Sequence, residues 1–198
     1  MVRVCLVAGA RPNFMKIAPV ARALASRGVA APIVHTGQHY DERMSEAFFR
    51  ELEIPPPVAN LEVGSGTAVA QTAEIMRRLE PVLFEQRPDW VVVVGDVNST
   101  VAAAMTASKL GMTLAHVEAG LRSFDRGMPE ELNRIVTDSL SDRLFVSEPS
   151  GVANLKREGI DERRIVLAGN VMIDTLLANL ERARAARAWE RFDLHPGE

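Results

Sequence analysis

The sequence predicts an α/β protein: a three-layer, Rossmann-like domain on a predominantly parallel sheet. Short β-branched runs alternate with longer helical patterns along the chain, as a parallel sheet flanked by helices requires. The run Trp90–Val94 is apolar at every position, the mark of a central strand covered on both faces. Acidic residues recur at or just after the ends of strand patterns. An open parallel sheet gathers its ligand crevice at that edge.

The elements follow in order. A first strand over Val2–Val7 runs into the turn Gly9-Ala10-Arg11-Pro12-Asn13 and a helix over Phe14–Ser26 that stops at Gly28. The second strand, Pro32–His35, leads to a helix over Asp41–Leu52 ended by Pro55-Pro56-Pro57. Gly64 and Gly66 mark a loop ahead of a long helix, Ala68–Gln86, with Thr67 as its N-cap and Pro88 as its stop. Trp90–Val94 precedes a helix over Ser99–Leu110, and Thr113–Val117 precedes one over Glu130–Ser141. Arg143–Val146 then precedes Ser150–Glu158, and Ile165–Leu167 precedes a last helix, Ile173–Trp189, whose second half is rich in Ala and Arg. Glycines at 28, 111 and 159 are ordinary helix stops. Pro196-Gly197 reads as the approach to another element, so residues 1–198 are expected to be one domain cut at a domain boundary.

Composition narrows the function classes. The 198 residues allow one full domain with a sizeable core and exclude two large ones. A net charge of −3 provides no global field for nucleic acid or an anionic membrane surface. No apolar run reaches the roughly 18 residues that a membrane span needs. The N-terminal apolar stretch is too short and too β-branched for a signal peptide. Cys5 is the single cysteine, which excludes an intrachain disulfide, and inside the first strand it reads as a buried, inert thiol. A cytoplasmic globular protein is the expectation.

Three carboxylates stand out within about 35 residues: Asp96 in VVVVGDVNST, Glu118 in LAHVEAGLRS and Glu130 in GMPEELNR. Delivered to one crevice, three acids suit proton transfer better than anion binding. At the first of these sites Asn98 or Ser99 can cap the following helix, which leaves Asp96 one step earlier and facing the crevice. Glu118 ends an apolar strand at a desolvation cost that capping does not explain. Taken singly, Glu130 and Glu131 after Pro129 fit an ordinary helix first turn.

The first strand's turn is neither GxGxxG nor GxxxxGK[ST], so neither a dinucleotide loop nor a Walker loop has support. It offers Arg11 and Lys16, suited to a phosphate or carboxylate, with a solvated surface pair as the plain alternative. Gln38 and His39 follow the second strand, where a polar substrate contact and a surface role both fit. The remaining histidines, His35, His116 and His195, form no HExxH pattern, so no zinc site is expected.

Together, GARPNFMKIAPV, HTGQHYD, VVVVGDVNST, AHVEAGLRSFDRGMPEELNR, SDRLFVSEPSGVANLKREGI and AGNVMIDTLL resemble the non-hydrolysing UDP-N-acetylglucosamine 2-epimerases, which have the two-domain glycosyltransferase-B fold. The match runs from Val4 to Leu177. The resemblance implies interconversion of UDP-GlcNAc and UDP-ManNAc with no nicotinamide cofactor and no metal, by elimination of UDP across C1–C2 and re-addition to the 2-acetamidoglucal. It assigns the catalytic acids to Asp96, Glu118 and Glu130 and the crevice cations to Arg11 and Lys16. Gln38, His39, Asn98 and Arg122 fall in matching segments and are expected to contact a UDP-sugar. The full-length protein is expected to be a homodimer.

Two departures bear on these expectations. In the family a second Rossmann-like domain supplies most of the uridine and diphosphate contacts and a further catalytic histidine. The present chain ends where that domain's first strand would start. Tyr40-Asp41 after the Gln-His pair also matches relatives that epimerise UDP-2,3-diacetamido-glucuronic acid, for which Arg126 is a candidate carboxylate partner. A nucleotide-sugar-binding module without turnover is the reading from another class. A glycosyltransferase of the same fold gains nothing from three crevice carboxylates.

Overall fold

The computed structural model describes residues 2–37 and 48–192. The regular elements are β1 (Val4–Ala8), α1 (Arg11–Ala25), β2 (Ile33–His35), β3 (Ala59–Asn60), α2 (Ala68–Gln86), β4 (Trp90–Val94) and α3 (Asn98–Lys109). They continue with β5 (Thr113–Ala119), α4 (Pro129–Leu140), β6 (Arg143–Val146), α5 (Pro149–Arg157), β7 (Ile165–Leu167) and α6 (Val171–Ala186). Two 3₁₀ turns, Glu162–Arg164 and Ala188–Phe192, complete the set.

Seven strands form one sheet in the order β3-β2-β1-β4-β5-β6-β7, and every pairing is parallel. From β1 the chain builds outward to β3, then crosses back to place β4 on the other side of β1. That reversal makes the carboxyl ends of β1 and β4 the switch point, where open sheets bind ligands.

Alternation along the strands divides the core between the faces. Leu6, Val92, Val94, Ala115 and Val117 pack against Phe14, Ile17, Ala18 and Ala21 of α1, with Val171 of α6 beside them. On the opposite face Cys5, Val7, Val91, Val93 and Leu114 meet Ile75, Leu79 and Leu83 of α2 and the alanines of α3. Ile75, Leu79 and Leu83 recur every four residues and so form one stripe. Burying each such side chain contributes about 1.5–3 kcal/mol. A smaller cluster of Leu144, Val146 and Leu155 seats α5 beside β6.

Most boundaries fall where the stop signals put them, and the differences have local causes. α1 begins at Arg11 and not at Phe14, because Pro12 sits in the first turn, where a missing N–H costs nothing. Strand β1 occupies Val4–Ala8, displaced from Val2–Val7. The two-residue strand β3 is too short to carry a pattern of its own. β5 continues past Val117 to Ala119 through a bulge. Thr67 caps α2, its Oγ1 accepting from the Ala70 N–H at 3.2 Å. The cap of α3 is Val97, with no side-chain bond, so neither Asn98 nor Ser99 fills that role. Of the helix expected over Asp41–Leu52, residues 48–51 are helical and 41–47 lie outside the described residues.

Candidate active site

The switch point is built on close backbone approach. Gly9 lies beneath the Thr36–Ser99 hydroxyl pair, whose oxygens are 2.7 Å apart, and any Cβ at residue 9 would overlap both side chains. Just beyond, the buried Asn13 Oδ1 accepts from the N–H groups of Gly9 (3.2 Å) and Ala10 (3.1 Å), while its amide donates to the Val94 carbonyl at 3.1 Å. Asn13 thus ties the end of β1 to the end of β4. It also occupies the turn N–H groups that a dinucleotide-binding loop would offer to phosphate.

Lys16, buried on α1, reaches across the turn after β4 and pairs with Glu118 Oε2. Gly95 makes that path possible. Its φ is +68°, and a Cβ there would sit 2.9 Å from Lys16 Nζ and 3.5 Å from Glu118 Oε2. Glu118 itself occupies the bulge of β5 with φ of 71°. A left-handed conformation in a non-glycine residue costs on the order of 1–3 kcal/mol and persists where its surroundings enforce it. Bulges of this kind re-aim a side chain. Here the bulge brings the carboxylate back over the switch point.

Asp96 is held from the other side. Its carboxylate pairs with the Arg134 guanidinium of α4, and its carbonyl accepts from the Asn133 amide at 2.8 Å. Glu130, Asn133 and Arg134 stand at i, i+3 and i+4, so Glu130 shares the helix face that looks towards Asp96. Among the described residues Glu130 has no hydrogen-bond or ion-pair partner and is half-buried. Glu131 is different. Fully buried, it accepts from the Ser123 N–H (2.9 Å), the Ser123 hydroxyl (3.0 Å) and the Phe124 N–H (3.1 Å), and Arg134 lies 3.3 Å away. Burial pushes its carboxyl up, but these donors outweigh it and hold it below the usual range. Glu131 therefore anchors the loop before α4, a role that Glu130 does not share.

Of the expected substrate contacts, Arg11 is exposed at the turn with its guanidinium 4.9 Å from the Phe48 ring centroid. Asn98, the first residue of α3, donates to Gln71 Oε1 at 2.9 Å, and Gln71 in turn donates to the Gly64 carbonyl at 2.8 Å. Gln38 and His39 lie outside the described residues. Arg122 requires a correction. Its side chain is 1% exposed and its donors go to Asp138 (2.8 Å), to Glu158 through two bonds (2.8 and 2.7 Å) and to the Leu121 carbonyl (2.7 Å). Four of its five N–H donors are thus spent within the chain, an arrangement that is structural and leaves little for a ligand.

Arg134, Asn133 and Asn13 went unassigned in the sequence. For the first two a signal was present, since their i+3 and i+4 spacing from Glu130 put them on its face. Asn13 gave none beyond its place after a proline. Among the described residues no three His, Cys, Asp or Glu side chains converge as a metal site would need, and no helix is long and apolar enough to cross a membrane.

A doubly wound sheet whose switch point carries two cation-paired carboxylates, with a third acid on the facing helix, defines an α/β domain with acids and cations gathered at the carboxyl edge of its sheet. The family model described as UDP-N-acetylglucosamine 2-epimerase matches residues 22–195, and the chain belongs to that family. It is 47% identical over 181 residues to the UDP-N-acetylglucosamine 2-epimerase of Methanocaldococcus jannaschii, covering 91% of this chain and 50% of that protein. To the UDP-2,3-diacetamido-2,3-dideoxy-D-glucuronate 2-epimerase of Pseudomonas aeruginosa it is 44% identical over 184 residues, covering 91% and 52% respectively. The crystal structure of the M. jannaschii enzyme in complex with UDP-GlcNAc and UDP superposes with a TM-score of 0.92 at 45% identity, over 96% of this chain and 53% of that one. The Neisseria meningitidis enzyme bound to UDP-GlcNAc gives 0.89 at 29% identity, over 98% and 55%. The chain thus spans about half the length of the curated relatives it matches.

Proposed function

We propose that the complete protein is a sugar-nucleotide 2-epimerase that interconverts UDP-GlcNAc and UDP-ManNAc, and that residues 1–198 are its N-terminal domain, with the uridine-gripping half outside this chain. The observation that carries the reading is the convergence on one switch point of Glu118 paired with Lys16 and Asp96 paired with Arg134. The C2 proton of the sugar is weakly acidic, and C1 must release UDP as an anion. A positioned base, an acid and stabilisation of the departing diphosphate are all needed. Asp96, Glu118 and Glu130 supply the carboxylates. Lys16, Arg134 and the exposed Arg11 supply cations on the same edge. The reaction takes one proton from C2 and returns one to the opposite face as UDP re-adds at C1, so no redox partner enters the balance.

Turnover of the complete protein in D2O tests this. Deuterium is expected at C2 of the product, and Asp96→Asn, Glu118→Gln and Glu130→Gln are each expected to lower turnover by about a hundredfold or more. Epimerisation without C2 exchange would overturn the mechanism. The relative from P. aeruginosa and the Tyr40-Asp41 pair favour UDP-2,3-diacetamido-glucuronate as the second substrate reading. The ratio of kcat/KM for the two sugars decides between them. A homodimer belongs to the same reading, supported by Leu132 and Val136, exposed apolar residues one turn apart on α4.

A further inference from the structure

Behind the site, two buried side chains join the turns that carry its carboxylates. The His116 ring, fully buried on β5, places Nδ1 2.6 Å from Asp138 Oδ1 and Nε2 2.8 Å from the Gly95 carbonyl oxygen. The second oxygen of Asp138 accepts from the Gly120 N–H at 3.1 Å and from Arg122 at 2.8 Å. Residues 116 and 120 flank Glu118 at equal distance, so one carboxylate grips the strained bulge on both sides. Gly95 directly precedes Asp96, so the same imidazole also fixes the turn from which Asp96 projects.

Resting on the epimerase reading above, we propose that His116 and Asp138 are positioning residues that hold Glu118 and Asp96 in register through a buried imidazolium–carboxylate pair. A carbonyl can only accept, so Nε2 carries a proton. Asp138 Oδ2 already receives two donors, one of them the Arg122 guanidinium, which favours the ionised carboxylate and makes Nδ1 a donor as well. The charged groups of the network are His116 on β5, Asp138 on α4, Arg122 beyond the bulge and Glu158 after α5, and their charges cancel. Burial raises the Asp138 carboxyl, but the charges and hydrogen bonds of His116 and Arg122 outweigh it and leave it below the usual range. A buried pair of this kind is poorly explained by stability alone, since apolar replacements of similar volume often do as well or better. What apolar residues cannot do is reach the Gly95 carbonyl and the bulge at once.

The test is made in the complete protein. Nitrogen-15 histidine spectra of the wild type are expected to show both His116 ring nitrogens bonded to hydrogen. Asp138→Asn, which keeps the side chain's size, is expected to lower kcat by on the order of 10–100-fold, the range commanded by residues that orient a reacting group. Its KM should stay within about twofold, because an orienting contact acts on the chemical step and not on uniform binding. Its crystal structure should show Glu118 out of the positive-φ region. A folded Asp138→Asn protein with wild-type kcat overturns the proposal, as does a wild-type ring with one bare nitrogen. Should Asp138→Asn not fold, His116→Gln takes its place, and unchanged kcat there is equally fatal. A wild type that epimerises no UDP-sugar removes the functional reading separately, while the ring protonation and the bulge geometry remain measurable.

Discussion

At the scale of single residues, the adjacent acids Glu130 and Glu131 part company because of their partners. Glu131 is enclosed by Ser123, Phe124 and Arg134. It ionises more readily folded than unfolded, so its contribution to stability is complete above its ordinary value of 4.5 and drains away as pH falls through the lower folded value. Asp138 acts in the same direction from its ordinary 3.8. Glu131→Gln should therefore cost about 1–3 kcal/mol at neutral pH, through donors left unsatisfied, and should flatten the loss of stability below pH 4.5. Urea unfolding of wild type and variant across that window checks it, and an acid limb unchanged in the variant would exclude Glu131 as its source. Asp96 and Glu118 stood out in the sequence because each follows an apolar strand pattern, and the structure places both at the switch point, paired with Arg134 and Lys16. Arg122 misled because its segment matched while its partners, Asp138 and Glu158, lie 16 and 36 residues away. Only the fold brings them together. In the folded chain Glu131, Thr137 and Asp138 are the buried polar residues of α4, on the side that meets this charged network.

Among elements, β5 decides the site, since its bulge turns Glu118 over the switch point. Right after it, Gly120 has φ of +80°, and a Cβ there would lie 2.5 Å from the Gly151 carbonyl oxygen of α5. Gly159 has the same φ of +80° and nothing within 4 Å of its Cβ position. The pair separates backbone strain from packing. Gly159→Ala should cost about 1–2 kcal/mol, the penalty of the left-handed region. Gly120→Ala adds overpacking of roughly 1–3 kcal/mol and should displace the bulge, lowering turnover as well as stability. Urea midpoints at constant slope, read with kcat, distinguish the two. Equal losses in both variants would show that α5 yields to the methyl group and does not brace β5. Elements of this fold were legible where stops and apolar pattern spoke together, as at Trp90–Val94, Ala68–Gln86 and Arg143–Val146, whose bounds match the expectation. The bulge was not, because one inserted residue leaves no trace in a pattern of apolar residues. Nor was β3, which is ordered by pairing with β2 and not by its own composition.

For the whole molecule, the two main cores close within the chain, one on each face of the sheet. Both faces of β1 and β4 are covered by helices within this chain, so a protein of these 198 residues alone is expected to fold. Its switch point is another matter. Lys16 and Arg134 are already drawn onto Glu118 and Asp96, and Arg122 is buried, which leaves Arg11 as the exposed cation at the turn after β1. A diphosphate arriving at this edge must compete with two carboxylates for their cations. A crevice completed by a second wall excludes water and strengthens such contacts, whereas one wall leaves them in high dielectric. Residues 1–198 alone should therefore bind UDP-GlcNAc only at millimolar or weaker affinity and show no epimerase activity. Ile173, Leu176 and Leu177 of α6 and Leu167 of β7, all more than half exposed, should favour self-association of that fragment. Calorimetric titration with UDP-GlcNAc, an assay for UDP-ManNAc and sedimentation of the same sample check all three expectations. Micromolar binding or steady turnover by these residues would show that one wall suffices, and that the cations paired here are released to the ligand far more cheaply than their geometry implies.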